Sequence, residues 1–184
     1  MLLDELMPRY DVAAQYETLV DARPERTFAI LQHVNFSQSG VIRSLMGLRT
    51  LGRRAHKPDP NQNLTERMRQ AGFMEVARRE NEEIVIGVVG RFWQPRSGII
   101  QGLSPKEILD FQTEGYAKAL WNFHLVRTAS NQTTLSTETR VQVLGSGARR
   151  NFLLYWSVVG PFSGWIRKEM LRLIRIQAEG PNLL

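Results

Sequence analysis

Two segments in the second half of the chain constrain its fold more than any other feature, because apolar and polar residues alternate along both. One set in residues 118–126 consists of Ala119, Trp121, Phe123 and Leu125. The matching set in residues 133–143 consists of Leu135, Thr137, Thr139, Val141 and Val143. A period of two is typical of antiparallel strands with one buried face. We therefore predict an antiparallel strand pair with one buried face and one wetter face.

A long amphipathic helix is predicted to follow these strands. It runs from about residue 148 to 178, with an interruption at Gly160–Pro161, because proline removes a hydrogen bond inside a helix. Its apolar face carries Ile166, Met170, Leu173 and Ile174, at the spacing of successive helical turns. Lys168, Arg172 and Arg175 occupy another face. We expect the apolar face to pack on a sheet and the basic face to be exposed to solvent.

The rest of the chain predicts shorter elements of a single domain spanning residues 1–184, without repeats or a linker. Strands are predicted at 10–21, 73–79 and 83–93. Short helices are predicted from Pro24, over 41–51, from the N-cap Asn63 to Gly72, and from Ser104 to Phe111. Prolines predict a loop over 55–62.

Composition excludes several kinds of site. The chain of 184 residues contains no cysteine, which excludes disulfides, thiolate metal sites and cysteine nucleophiles. Its N-terminus is acidic where a signal peptide is basic, and no apolar run is long enough for a transmembrane segment. We therefore expect a soluble cytoplasmic protein, either a monomer or a dimer.

The net charge of +6 is concentrated in two segments. Residues 39–58 carry five basic residues and no acidic one, and residues 148–178 carry six basic residues against Glu169 alone. Such segments are either solvated helix faces or surfaces for an anionic partner. We favour solvated faces and keep the second interpretation open.

Motifs of known chemistry are absent from the sequence. It contains no phosphate-binding loop, dinucleotide fingerprint or zinc-protease motif, so we assign no catalytic residue, metal or cofactor. The histidines are His33, His56 and His124. His124 could converge with Glu138 across the hairpin, although a surface pair is the simpler interpretation. Glu138 and Arg140 either steer a polar group or form an ion pair on the outer face.

Several stretches resemble the SRPBCC superfamily, which includes START domains, birch-allergen-like proteins and polyketide cyclases. These stretches are Glu17–Phe28, Gly90–Trp93, Tyr116–Lys118, Trp121–Phe123 and Ser136–Val141. The resemblance, to a bacterial branch, implies an α+β helix-grip (Bet v 1-like) fold, in which a curved antiparallel sheet wraps around the long C-terminal helix. It also implies a cavity between sheet and helix that holds an apolar ligand.

Our leading hypothesis is a carrier or sensor of a hydrophobic small molecule, lipid-like or polycyclic. The candidate pocket residues are Phe92, Trp121, Phe123, Thr137, Ile166 and Met170. The polar candidates are Tyr116, His124, Glu138 and Arg140. Trp121 and Phe123 either line a cavity or fill the core.

Two other classes of function remain open. One is an enzyme of the cyclase or aromatase kind, in which a buried Tyr116, His124 or Glu138 directs proton transfer. The other is a binder of nucleic acid or an anionic membrane through the basic segments. We do not expect nucleic acid, because no recognised nucleic-acid motif is present.

Overall fold

The computed structural model describes residues 1–34, 36, 39–40, 64–70, 72–94 and 98–181. The predicted helix over 41–51, the loop over 55–62, His56 and the predicted cap Asn63 lie outside the described residues. Within the described part, the strands are β1 (Val12–Val20), β2 (Met74–Arg79), β3 (Glu83–Gly90), β4 (Ala117–Ala129) and β5 (Gln132–Val143). The helices are α1 (Leu2–Leu6), α2 (Pro24–His33), α3 (Leu64–Gln70), α4 (Pro105–Asp110) and α5 (Ser146–Glu179).

The five strands form one antiparallel sheet in the order β1-β5-β4-β3-β2. Trp121 lies opposite Thr139 in the β4–β5 ladder and opposite Ile86 in the β3–β4 ladder. Tyr16 of β1 lies opposite Thr137 of β5. Odd-numbered residues of β4 and β5 therefore share one face of the sheet. The predicted α+β fold class, with a curved antiparallel sheet and a long C-terminal helix, is confirmed.

The second half of α5 packs against the face that carries Trp121. Met170, Leu171 and Ile174 are buried there in one apolar cluster with Trp121 and Phe123. Burial of each large apolar side chain contributes roughly 1.5–3 kcal/mol to folding. This cluster joins helix and sheet.

The predicted interruption of α5 is wrong, because the helix continues through Gly160 and Pro161. Proline removes one backbone hydrogen bond. Phe152 before the proline and Met170 after it are both buried against the sheet. This packing keeps the two halves of α5 in one helix. None of the described helices is long and apolar enough to cross a membrane.

The prediction of a second, wetter face is also wrong, because that face carries polar residues but is covered. Leu120 and Asn122 have exposed fractions of 0% and 1%. Leu3 and Met7, from α1 and its C-terminus, and Ile108 of α4 pack there in a second apolar cluster with Leu120. Residues 1–9 have no predicted element, so the helix that covers this face was not expected.

Lys118 fixes α4 to the same face. Its ammonium group donates a hydrogen bond of 2.6 Å to the carbonyl oxygen of Leu109, near the C-terminal end of α4. Cations are favourable at this end of a helix. Burial lowers the pKa of Lys118, and Asp110 partly offsets that effect. The sheet thus has packed elements on both faces.

Gly164 sets how closely α5 approaches β1. A Cβ atom at this position would lie 2.9 Å from Cζ of Tyr16 and still closer to its hydroxyl oxygen. We expect Gly164→Ala to lower the free energy of unfolding by about 1 kcal/mol or more, because the added methyl group overpacks this contact.

Gly147→Ala is the matched control, because a Cβ atom at Gly147 meets nothing within 4 Å and the residue lies in the same helix. This change should raise stability by about 0.5–1 kcal/mol through the helix preference of alanine. Urea denaturation measures both variants. Equal effects of the two changes would contradict the close contact with Tyr16.

Candidate functional site

The apolar candidates lie on the face of the sheet that α5 covers. Trp121, Phe123 and Met170 belong to one buried cluster, and Ile166 packs against it. Phe92 is buried in a neighbouring cluster with Phe152, under the first half of α5.

Thr137 shares this face and is fully buried. Its hydroxyl group donates a hydrogen bond of 2.6 Å to the backbone oxygen of Asn122, so this side chain is already satisfied within the sheet.

Side chains fill most of the space between these residues. The Phe123 ring stacks on Phe36 with centroids 6.3 Å apart, and it meets Trp121 edge to face at 6.1 Å. The ring of Phe73 contacts Trp121 at 5.6 Å. In the structure as it stands, these candidates therefore contribute to the core.

Two clefts are formed elsewhere by described residues. The first, of about 400 Å³, lies at the β2 edge and is lined by residues that include Phe73, Met74 and Ile100. The second, of about 230 Å³, lies beside Arg91 and Trp93. Neither is lined by any of the six apolar candidates.

A cluster of unsatisfied polar atoms lies beside the Trp121 ring, between the sheet and α5. The atoms are Nε1 of Trp121, Oγ1 of Thr139 and Nη1 of Arg167. All three are buried, and within the described part of the chain none has a hydrogen-bond partner. Trp121 and Thr139 are direct neighbours across β4 and β5, and the guanidinium carbon of Arg167 lies 4.2 Å from the Trp121 ring centroid. We call these three residues the donor cluster.

The chemistry of the donor cluster favours an oxygen acceptor. An indole N–H and a guanidinium can only donate hydrogen bonds, and a hydroxyl group can donate as well as accept. Buried polar groups in proteins are nearly always paired, so unpaired ones call for an explanation such as a missing ligand. A carboxylate or a similar anionic group is an acceptor that suits all three kinds of donor.

Arg167 has an unusual electrostatic environment for a cation. Burial lowers its pKa to about 9, and the interaction with Tyr16 acts in the opposite direction. Its side chain makes no ion pair with any described carboxylate. The guanidinium is still charged at neutral pH, so it is a partly desolvated positive charge with no counterion among the described residues.

The polar candidates lie on the opposite face, under α1 and α4. Tyr116 packs edge to face on Phe111 with centroids 5.6 Å apart, in the outer cluster. His124 lies opposite Ser136, on the same outer face as Glu138. The structure therefore does not bring the polar and apolar candidates together in one site.

Glu138 and Arg140 form an ion pair that holds α1. Nε of Arg140 donates to Oε1 of Glu138 at 2.6 Å, and Nη2 donates to Oδ1 of Asp4 at 2.6 Å. Nη1 donates to the backbone oxygens of Met7 at 3.1 Å and Leu3 at 3.4 Å, at the C-terminal end of α1. Burial lowers the pKa of Arg140, but the hydrogen bonds to Glu138 and Asp4 outweigh it and raise the pKa.

Glu83 holds the other end of α1. Its carboxylate accepts hydrogen bonds from the backbone N–H of Leu2 at 2.6 Å and of Leu3 at 3.3 Å. It also accepts one from Nδ2 of Asn122 at 2.7 Å, and Oδ1 of Asn122 accepts one from the N–H of Glu138 at 2.8 Å. A carboxylate at a helix N-terminus is favourable. This network binds α1, and it explains the charged residues on β3 and β5 without a catalytic role.

The residues predicted to direct proton transfer in a cyclase-like enzyme all lie away from the space that α5 covers. That version of the enzyme hypothesis therefore has no support here.

Arg167 was not among the residues predicted from the sequence. It lies three residues before Met170 and seven before Ile174, on the apolar face of the helix.

Among the described residues, no group of three or more acidic or histidine side chains could hold a metal ion.

Comparisons with known proteins give only distant structural likenesses. No protein-family model matches the chain, and no curated protein matches it. A conserved protein from Geobacillus kaustophilus aligns with a TM-score of 0.45 at 8% identity, over 91% of this chain and 95% of that chain. Truncated norcoclaurine synthase from Thalictrum flavum aligns with a TM-score of 0.46 at 9% identity, over 93% of this chain and 95% of that chain. Likeness at this level carries no argument about what this chain binds or does.

We expect Arg140→Met to lower the free energy of unfolding by about 3 kcal/mol, because it leaves the buried Glu138 carboxylate without its partner. Arg79→Met is the control, because Arg79 of β2 forms an ion pair of 2.9 Å with Glu5 of α1, and this pair lies at the surface. That change should cost less than about 1 kcal/mol. Chemical denaturation compares the two variants, and similar losses would contradict the network that holds α1.

Arg167→Met should have the opposite effect on the free energy of unfolding. It removes a desolvated charge that pairs with no described carboxylate, so stability should rise by about 1 kcal/mol or more in the ligand-free protein. The gain should be the same at pH 6 and pH 8, because both lie below the folded-state pKa of about 9 and the cost of the charged form is fully present there.

Lys168→Met controls for the loss of a basic residue from an exposed position of the same helix. It should change the free energy of unfolding by less than about 0.5 kcal/mol. A loss of stability in Arg167→Met, measured by the same denaturation, would show that the guanidinium has a partner in the folded protein.

Proposed function

We propose that the chain is a member of the SRPBCC superfamily that binds a hydrophobic small molecule carrying an acidic group, as a carrier or sensor. The ligand's acidic group binds the donor cluster of Trp121, Thr139 and Arg167, and its apolar part lies between the sheet and α5. The observation that carries this proposal is the set of three buried polar atoms beside the Trp121 ring that have no hydrogen-bond partner among the residues the structure describes.

The energetics favour a ligand with a negative charge. Hydrogen bonds to charged groups contribute about 1.5–3 kcal/mol, more than neutral ones. Proteins often retain destabilising groups where function needs them. An uncompensated guanidinium on an otherwise apolar helix face fits that pattern.

The surroundings of Arg167 suit the apolar part of the ligand. Ile166 and Met170 lie on the same helix, and Met170 is buried in the cluster with Trp121 and Phe123. Methionine is unbranched and adapts its shape to a neighbour. Arg167 as a whole is only half-buried, so part of this residue is in contact with solvent. Binding requires these side chains to move apart, since they now fill the space.

The test compares two probes that differ only in the head group, palmitate and hexadecanol. We expect the wild-type protein to bind palmitate at least about tenfold more tightly, because only the carboxylate pairs with the guanidinium. Arg167→Met should abolish this preference while leaving hexadecanol binding in place. Thr139→Val, which removes the hydroxyl at similar volume, should reduce it.

Lys168→Met is the control, because it removes an adjacent positive charge that is not part of the donor cluster and lies 5.5 Å from the Tyr16 ring centroid. Titration followed by intrinsic fluorescence gives the affinity for each probe, and circular dichroism checks that each variant is folded. The proposal fails if neither probe binds, or if Lys168→Met changes the preference as much as Arg167→Met does. Native mass spectra of the purified protein identify any apolar acid that is already bound.

A further inference from the structure

The outward face of α5 carries an exposed apolar band, which we define as Leu154, Val158, Phe162 and Trp165. Their exposed fractions are 67%, 64%, 46% and 57%. Steps of four, four and three residues place them on one side of a helix. The band is about 16 Å long at the usual rise per residue. A contiguous group of exposed apolar side chains marks an interaction surface, whereas single exposed apolar residues are common.

The other side of the same helix segment faces the sheet. Phe152 and Gly164 are buried, and Gly164 lies against the ring of Tyr16. The band therefore points away from the donor cluster and from the rest of the described structure. A partner on this band would not compete with a ligand under α5.

Basic residues continue the band at both of its ends. Arg150 lies one turn before Leu154, and Lys168 lies one turn after Trp165. Both are exposed, and neither makes an ion pair with a described carboxylate. The whole of α5 has six basic residues against two acidic ones.

We propose that this band docks the protein on an anionic lipid bilayer, with α5 lying along the membrane surface. Interfacial helices combine an apolar face with flanking basic residues, which attract anionic head groups. Tryptophan is favoured at the boundary between head groups and acyl chains, and Trp165 lies at the end of the band next to Lys168.

Charge argues against a second copy of the chain as the occupant. Two bands packed side by side would place basic ends against basic ends, whether the helices run parallel or antiparallel. Juxtaposed like charges oppose association. A bilayer that contains anionic lipid supplies an apolar layer and negative charge at both ends at once.

Co-sedimentation with vesicles tests this proposal on the full chain. We expect clear binding to vesicles of phosphatidylcholine and phosphatidylglycerol at three to one, and much weaker binding to phosphatidylcholine alone. Arg150→Gln with Lys168→Gln should weaken binding to the anionic vesicles by about 20-fold and reduce its dependence on salt. Leu154→Ser with Val158→Ser should weaken it by roughly tenfold or more.

Val126→Ser is the matched control, because Val126 is an exposed apolar residue of β4, outside α5. The proposal is overturned if the protein binds no vesicles, binds both kinds equally, or loses binding in Val126→Ser as it does in the band variant. It is also overturned if light scattering without vesicles shows a dimer that only the band variant dissociates. The ratio of palmitate to hexadecanol affinity should stay unchanged in the band variant, so failure here is distinct from failure of the proposed ligand site.

Discussion

The antiparallel ladder between β4 and β5 is the constraint on which both faces of this protein depend. Its register places Trp121 beside Thr139, and the alternation of the strands then assigns every neighbouring side chain to one face. One face packs on α5 and the other on α1 and α4. A slip of one residue would exchange the apolar aromatic face with the face of Glu138 and Arg140. The network around α1 and the donor cluster under α5 both follow from this single register.

Two arginines show how differently a protein can treat a buried cation. Arg140 is surrounded by Glu138, Asp4 and two backbone oxygens, and its pKa is raised. Arg167 lies on the Trp121 ring and pairs with no carboxylate in the described part of the chain, and burial lowers its pKa to about 9. The guanidinium of Arg140 has its partners within the chain, and these contacts hold α1 in place. No described residue completes the arrangement around Arg167, which is why we propose it as a binding site.

The sequence predicted the parts of the fold that repeat with a clear period. The alternation through Trp121 and Phe123 predicted β4, and the spacing of Ile166 and Met170 predicted the buried side of α5. The coverage of the outer face was missed because α1 has only five residues, too few for a helical period to be recognised. An ion pair involving Glu138 and Arg140 was one of two interpretations left open by the sequence, and their role in holding α1 depends on tertiary contacts. The donor cluster could not be predicted, because a missing hydrogen-bond partner is visible only in coordinates.

The indole N–H of Trp121 offers the most direct measurement of the central claim. The chain has four tryptophans, so nitrogen-15 spectra contain four indole signals, which substitution of each tryptophan by phenylalanine assigns. On addition of palmitate, we predict a downfield proton shift of the Trp121 signal, because its N–H gains a hydrogen bond to the carboxylate. The shift should be absent with hexadecanol and in Arg167→Met. A spectrum in which palmitate moves only the exposed Trp165 signal, or none at all, would contradict a ligand site at the donor cluster.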